Sequence, residues 1–171
     1  MKISTKGGDK GSTSLMFGKR VSKACQRVRT YGMVDELSAS IALARAFATD
    51  LNLNKELLNI QENLVFLMTE LATAKEDFPK LAEKNIKLLD ETHLAEIESK
   101  IDEIESKGNV FNGWKQAGDT PISATLDMAR VKCRATEREI VALNEEEGLA
   151  RDFPLIYINR LSDYIYLLSI N

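Results

Sequence analysis

The chain has 171 residues, of which 44% are hydrophobic and 29% charged, and its net charge at pH 7 is −3. This length favours one buried core, so we expect a single domain over residues 1–171, and no stretch reaches the roughly 18 apolar residues that a membrane span needs. The acidic balance argues against non-specific binding to nucleic acid, and two cysteines without a CxxC pair argue against zinc or disulfides and predict a reduced, cytoplasmic protein.

The first 26 residues are predicted to form an N-terminal arm without a helix. They contain four of the nine glycines, together with several serines, threonines and lysines. A run such as Thr5–Ser14 can cradle phosphate, because glycine lets a ligand approach the backbone and the hydroxyl and ammonium groups donate hydrogen bonds. The run is not a Walker A loop, since it lacks the Gly-Lys-Ser/Thr ending. A flexible, solvated terminus is the alternative explanation.

The rest of the chain, residues 27–171, is predicted to be all-α. Apolar residues at three- and four-residue spacing indicate long helices over about 27–48, 55–75 and 91–107, and a short helical piece falls within 80–90. A fourth long helix begins with Thr120 as its cap and Pro121 as its first residue, and the last helix begins near Pro154. We therefore expect an antiparallel five-helix bundle of the ferritin-like type. His93 is the only histidine, so a di-iron site and a catalytic triad are both excluded.

Three arginines form one stripe on the fourth long helix. Arg130, Arg134 and Arg138 recur at four-residue spacing, with Glu137 beside them. Guanidinium groups stacked one turn apart repel each other unless anions neutralise their charge, so the stripe favours a polyanionic ligand such as phosphate. The alternative is a solvated basic face that pairs with neighbouring glutamates.

Two further polar features fall within apolar patterns. Asp35 stands between Val34 and Leu37, where we expect it to lean inward and to need a cation, and Arg130 is a reasonable partner. An ordinary exposed acid is the other possibility for Asp35. The run Asn159–Asp163 interrupts the last helix, and by itself it indicates only a capping or interhelical network.

These motifs together resemble the PduO-type ATP:cob(I)alamin adenosyltransferases. The resemblance rests on Thr5–Leu15, Gly18–Lys23, Arg27–Leu37, the arginine helix and Ile158–Asp163, which occur in the expected order. It implies a homotrimer that binds ATP between neighbouring subunits, through the arm of one and the arginine helix of the next. It also implies attack by the cobalt of cob(I)alamin on the 5′ carbon of ATP, with Mg²⁺ on the phosphates and triphosphate as the leaving group.

The resemblance also implies roles for individual residues. The catalytic pair is Arg130 and Asp35, and no residue is assigned to a metal ion. An aromatic side chain packs below the corrin ring in such enzymes, and Trp114 holds roughly that position, or Phe111 if the loop is shifted. The ATP contacts are Thr5, Lys6, Gly7, Gly8, Thr13, Ser14, Lys23, Arg134, Glu137, Arg138 and Asn159.

Because the corrinoid supplies the nucleophile, such a protein contributes positioning and charge stabilisation rather than a catalytic serine, cysteine or histidine. A reductase and an adenosylcobalamin-dependent enzyme are the implied partners. One alternative is a non-catalytic relative that binds ATP or adenosylcobalamin and delivers or senses it, and another is a purely structural bundle. The presence of both Asp35 and Arg130 favours catalysis.

Overall fold

A computed structural model describes residues 6–108 and 117–170, and helices account for most of them. The prediction of an all-α protein is confirmed for this part of the chain. The helices are α1 (Gln26–Phe47), α2 (Leu51–Leu71), α3 (Pro79–Glu83), α4 (Glu91–Ser106), α5 (Pro121–Glu147) and α6 (Phe153–Ile170).

The helix starts follow from side-chain caps. Thr120 and Ser123 form a reciprocal capping box at the start of α5, with Pro121 in the first turn, as the sequence predicts. At α2 the predicted start was four residues late, because the Asp50 carboxylate accepts hydrogen bonds from the backbone N–H groups of Asn52 and Leu53, at 2.6 and 2.9 Å. These bonds satisfy orphan donors and let the helix begin at Leu51.

The arm contains a small hairpin that the sequence did not predict. Strands β1 (Ser12–Ser14) and β2 (Arg20–Ser22) pair antiparallel, with Thr13 opposite Val21. Each strand is only three residues long, too short to show an alternating pattern. The connecting turn passes through the left-handed region at Phe17 and Gly18, with φ of 63° and 90°.

Helix α5 occupies the centre of the packing. It packs against α1 on one side and α6 on the other, while α2 packs on α1 and α4 on α6. Helices α1 and α5 run antiparallel, since Thr136 donates to the Met33 carbonyl at 3.0 Å and Gln26 donates to the Glu139 carbonyl at 3.2 Å. One hydrophobic core joins α1, α2, α4, α5 and α6. Within residues 6–108 and 117–170, no helix is both long and apolar enough to cross a membrane.

The hairpin is fastened to the end of α2 and the segment after it. The Met16 backbone N–H donates to the Ala72 carbonyl at 2.9 Å, and Lys19 forms an ion pair with Glu76. At the start of α1, the buried Arg27 donates to the carbonyls of Leu71 and Thr73, at 3.0 and 2.8 Å. These bonds fix where the arm leaves the helices.

Candidate functional site

The described part of the arm brings several predicted ATP-binding residues together. A Cβ atom placed on Gly8 would lie 2.8 Å from Lys23 Nζ, so the ammonium group sits directly against this glycine. The Lys23 backbone N–H donates to the Gly11 carbonyl at 2.9 Å, which joins the glycine run to the residue after β2. Glycine at position 8 therefore permits this close approach, because a side chain there would displace the end of Lys23.

Arg20 ties the glycine run to the hairpin, and the sequence assigned it no role. Its guanidinium donates to the Gly7 carbonyl at 2.9 Å and to Ser14 Oγ at 3.2 Å, and it also contacts Ser12 Oγ. The only available sequence signal was that Arg20 lies directly before Val21 and Ser22 in the segment leading to Lys23.

The surface of the arm is cationic. Lys6, Lys10 and Lys23 are all exposed, and none of them forms an ion pair with another described residue. Thr13 lies over α1, where burial raises the pKa of the Tyr31 hydroxyl and a hydrogen bond with Thr13 opposes that rise. Unpaired ammonium groups beside a glycine run provide donors and charge suited to phosphate oxygens.

A second cationic surface lies on α5 where it meets α6. Arg134 and Arg138 are exposed, and within residues 6–108 and 117–170 neither has an ion-pair partner. Glu137 forms no ion pair with either of them in this part of the chain, and its carboxylate accepts a hydrogen bond from Asn159 Nδ2 at 2.8 Å. Glu139 is also engaged elsewhere, with Arg29 at 3.5 Å. The structure thus brings four of the predicted ATP contacts to one face, namely Arg134, Glu137, Arg138 and Asn159. No described residue forms an ion pair with either guanidinium group.

Arg130 lies on the same helix but is held differently. It is half-buried, its Nε atom donates to Asp127 Oδ1 at 2.7 Å, and its guanidinium carbon lies 5.9 Å from the centre of the Tyr166 ring on α6. The two terminal nitrogens form no hydrogen bond to any described residue. The residues that the structure describes therefore leave four N–H donors of Arg130 unused.

The expectation that Asp35 leans inward is wrong. Asp35 is exposed, whereas Val34 and Leu37 are fully buried. Asp35 lies 100° around the helix from Val34 and 200° from Leu37, which carries it past the edge of the buried stripe. Arg130 pairs with Asp127 and not with Asp35.

Asp35 and Arg130 also face in different directions. Ser38 and Arg45 lie about 60° and 80° from Asp35 around α1, and the Ser38 carbonyl and the Arg45 guanidinium contact Gln61 of α2 at 3.2 and 2.8 Å. Arg130 instead lies against α6. The arm likewise contacts the end of α2, while the exposed arginines lie beside α6. The predicted site residues therefore form two groups on separate faces of the chain.

Three predicted site residues, Thr5, Phe111 and Trp114, lie outside the described residues. In the part that the structure does describe, no three His, Cys, Asp or Glu side chains come together as a metal site. His93, the sole histidine, belongs to the capping box of α4, where its ring lies 2.6 Å from Asp90 Oδ1.

Hydrogen bonds to Thr92 and then to His93 lower the pKa of Asp90 to about 2. Burial raises the pKa of the Cys133 thiol, which lies in the core between α5 and α6.

Comparison with known proteins gives relatives over nearly the whole chain. The Bacillus subtilis corrinoid adenosyltransferase is 36% identical over 172 residues, covering 97% of this chain and 83% of its own length. The Salmonella typhimurium corrinoid adenosyltransferase PduO is 35% identical over 99% of this chain, which spans 49% of that relative. This chain thus spans about half the length of the PduO relatives from Salmonella typhimurium and Citrobacter freundii, and most of the length of the Bacillus subtilis one.

Solved structures show the same fold. A variant of the PduO-type ATP:corrinoid adenosyltransferase from Lactobacillus reuteri, complexed with cobalamin and ATP, matches with a TM-score of 0.89 and 33% identity. The match covers 99% of this chain and 89% of that one. The sequence profile of the cobalamin adenosyltransferases matches residues 3–171, and the chain belongs to this family.

Proposed function

We propose that the protein transfers the 5′-deoxyadenosyl group of ATP to cob(I)alamin, giving adenosylcobalamin and triphosphate. The observation that carries the proposal is that the guanidinium groups of Arg134 and Arg138 are exposed, lie beside the Glu137–Asn159 contact and have no ion-pair partner among the described residues. A relative of the same fold is complexed with both cobalamin and ATP, which supports the same two substrates here.

In this reaction the protein has to position the substrates and stabilise the charge that develops on the leaving group. In the transfer, the cobalt attacks the 5′ carbon, the C5′–O bond breaks, and the electron pair of that bond leaves with the triphosphate. Negative charge grows on the leaving oxygen, so fixed cations nearby lower the barrier. We assign Arg134, Arg138 and the arm lysine Lys23 to the triphosphate, and Arg130 to the reacting centre.

In this scheme Mg²⁺ binds the triphosphate group of ATP. Mg²⁺ keeps several waters and binds substrate phosphates together with one or two protein oxygens, so it does not need a cluster of three carboxylates.

The corrin ring is assigned to Trp114 or Phe111, as the family resemblance predicts.

We further propose a homotrimer of antiparallel five-helix bundles, with each active site shared by two subunits. The separation of the arm from the arginine face within one chain supports sharing, because a single ATP needs both groups. Exposed apolar residues support contacts between copies: Leu43, Phe47, Met128 and Val131, of α1 and α5, are each 47–54% exposed. Asp35 of one subunit would then meet Arg130 of the next.

Two substitutions test the separate roles of the arm and of Arg130. Arg130→Ala should lower kcat far more than it weakens ATP binding, because its contact is made at the transition state. Lys23→Ala should raise the Kd for ATP, and Lys10→Ala, which removes another exposed lysine from the arm, serves as the matched control. Equal losses of kcat and binding in Arg130→Ala would refute its assignment.

Mixing two inactive variants tests the shared site. If Asp35→Ala and Arg130→Ala are unfolded together and refolded as mixed oligomers, about one quarter of the sites should receive both intact residues from different subunits. Activity should therefore reappear in the mixture at about that fraction of the wild-type value. No recovery in mixed oligomers would mean that each site is built within one chain.

We place this single-domain enzyme in the cytoplasm, between a reductase that supplies cob(I)alamin and an enzyme that uses adenosylcobalamin. Both cysteines are free thiols, which supports a reducing compartment.

A further inference from the structure

Arg130 is fixed from two sides by residues that the sequence did not single out. Asp127, one turn earlier on α5, accepts a hydrogen bond from Arg130 Nε at 2.7 Å. The Tyr166 ring of α6 lies 5.9 Å from the guanidinium carbon, within the range of a cation–π contact. One contact comes from the same helix and the other from a neighbouring helix, so together they restrict both the position and the tilt of the guanidinium.

The ring of Tyr166, and not its hydroxyl, makes this contact. The hydroxyl oxygen is buried and has no hydrogen-bond partner among the residues that the structure describes. It therefore does not hold Arg130 through a hydrogen bond, and phenylalanine at this position would keep the same aromatic face. This separates the effect of the ring from the effect of the hydroxyl.

We propose that Asp127 and Tyr166 are positioning residues that fix the Arg130 guanidinium, so that its two terminal nitrogens are directed toward the reacting centre and Asp35 of the partner subunit. The inference rests on the proposed function in one respect, namely that Arg130 acts on the transition state. A free arginine side chain samples many rotamers, and the conformational entropy that it would lose on reaching the transition state would raise the barrier. With Nε bound to Asp127 and one face against Tyr166, that order is present before substrate binds.

Three substitutions separate positioning from general damage to the fold. Tyr166→Leu and Asp127→Ala each remove one contact, and each should lower kcat by about 10- to 100-fold, the effect expected when a catalytic group is misplaced by about an ångström. The Kd for ATP should change by less than about twofold, because the arm and the exposed arginines are untouched. Tyr166→Phe is the matched control and should keep the wild-type kcat.

Coupling to Arg130 provides the kinetic criterion. In an Arg130→Ala background, Tyr166→Leu should lower kcat no further, since the group that it positions is already absent. If Tyr166→Leu lowers kcat by the same factor with and without Arg130, or if Tyr166→Phe is as damaging as Tyr166→Leu, the positioning role is refuted.

A second readout does not depend on activity. Nuclear magnetic resonance relaxation of the Arg130 Nε–H group in the ligand-free protein should show a rigid side chain in the wild type and in Tyr166→Phe. It should show a mobile one in Tyr166→Leu and Asp127→Ala. Unchanged order in both of these variants would overturn the inference. If the wild-type protein transfers no adenosyl group, the proposed function fails on that result alone, and the relaxation data still decide whether Arg130 is held.

Discussion

Replacing Gly8 by alanine tests the arm at the point where the structure is most specific. The added Cβ would stand 2.8 Å from Lys23 Nζ, so the ammonium must retreat by about 0.6 Å to reach the 3.4 Å at which ordinary contact begins. Only the tip of a flexible side chain has to move, and we expect the free energy of unfolding to change by less than about 0.5 kcal/mol. A displaced ammonium weakens its contact with phosphate, which should cost about 1 kcal/mol of ATP binding.

That cost corresponds to a rise of about fivefold in the Kd for ATP, measured by isothermal titration calorimetry with Mg²⁺ present. Lys23→Ala alone should raise the Kd by about tenfold or more, since it removes the whole charge-assisted contact. In the Lys23→Ala background, Gly8→Ala should have no further effect. A full fivefold effect of Gly8→Ala in that background would refute the reasoning, as it would show that the alanine acts on something other than Lys23.

Three further predictions concern the framework around the site. Native protein should expose one of its two thiols to an aromatic disulfide reagent, because Cys133 is fully buried with a raised pKa while Cys25 is half-buried; reaction of both thiols before unfolding would contradict this. Arg151→Ala should lower the free energy of unfolding in denaturant by about 3–5 kcal/mol, because it strands the Glu70 side chain, which is only 5% exposed; a loss under about 1 kcal/mol would contradict the burial argument. Wild type should melt at a higher temperature than Asp90→Asn near pH 5, and this difference in melting temperature should disappear as the pH falls through about 2. Because the pKa of Asp90 is lower in the folded protein, the carboxylate stabilises the fold fully above its ordinary pKa and not at all below the lowered one. A difference in melting temperature that does not change with pH would contradict this.

The helices were predictable because their signals are local. Thr120 and Pro121 mark the start of α5 through a signal only a few residues long, and the structure confirms both the cap and the helix. The hairpin of the arm was missed because strands of three residues carry no period and are fixed by contacts far along the chain, such as the bond from Met16 to Ala72. Propensity cannot report contacts of that kind.

The candidate site shows the same division. The stripe of Arg134 and Arg138 follows from helical spacing alone, and the structure leaves both groups exposed. The side of α1 on which Asp35 lies could not be read from its neighbours, since a position 100° from a buried residue falls on the boundary between core and solvent. The contact of Arg130 with Tyr166 joins residues of two helices, and it becomes visible only when α5 and α6 are packed together.

The most direct test is an anaerobic assay of the wild-type protein with chemically reduced cob(I)alamin, ATP and Mg²⁺. Loss of the cob(I)alamin absorbance is followed together with formation of a light-sensitive product and release of triphosphate. We predict ATP-dependent adenosylcobalamin, with one triphosphate released for each molecule formed. Binding of ATP without any such product, under conditions in which cob(I)alamin stays reduced, would contradict the account and identify the protein as a non-catalytic binding module.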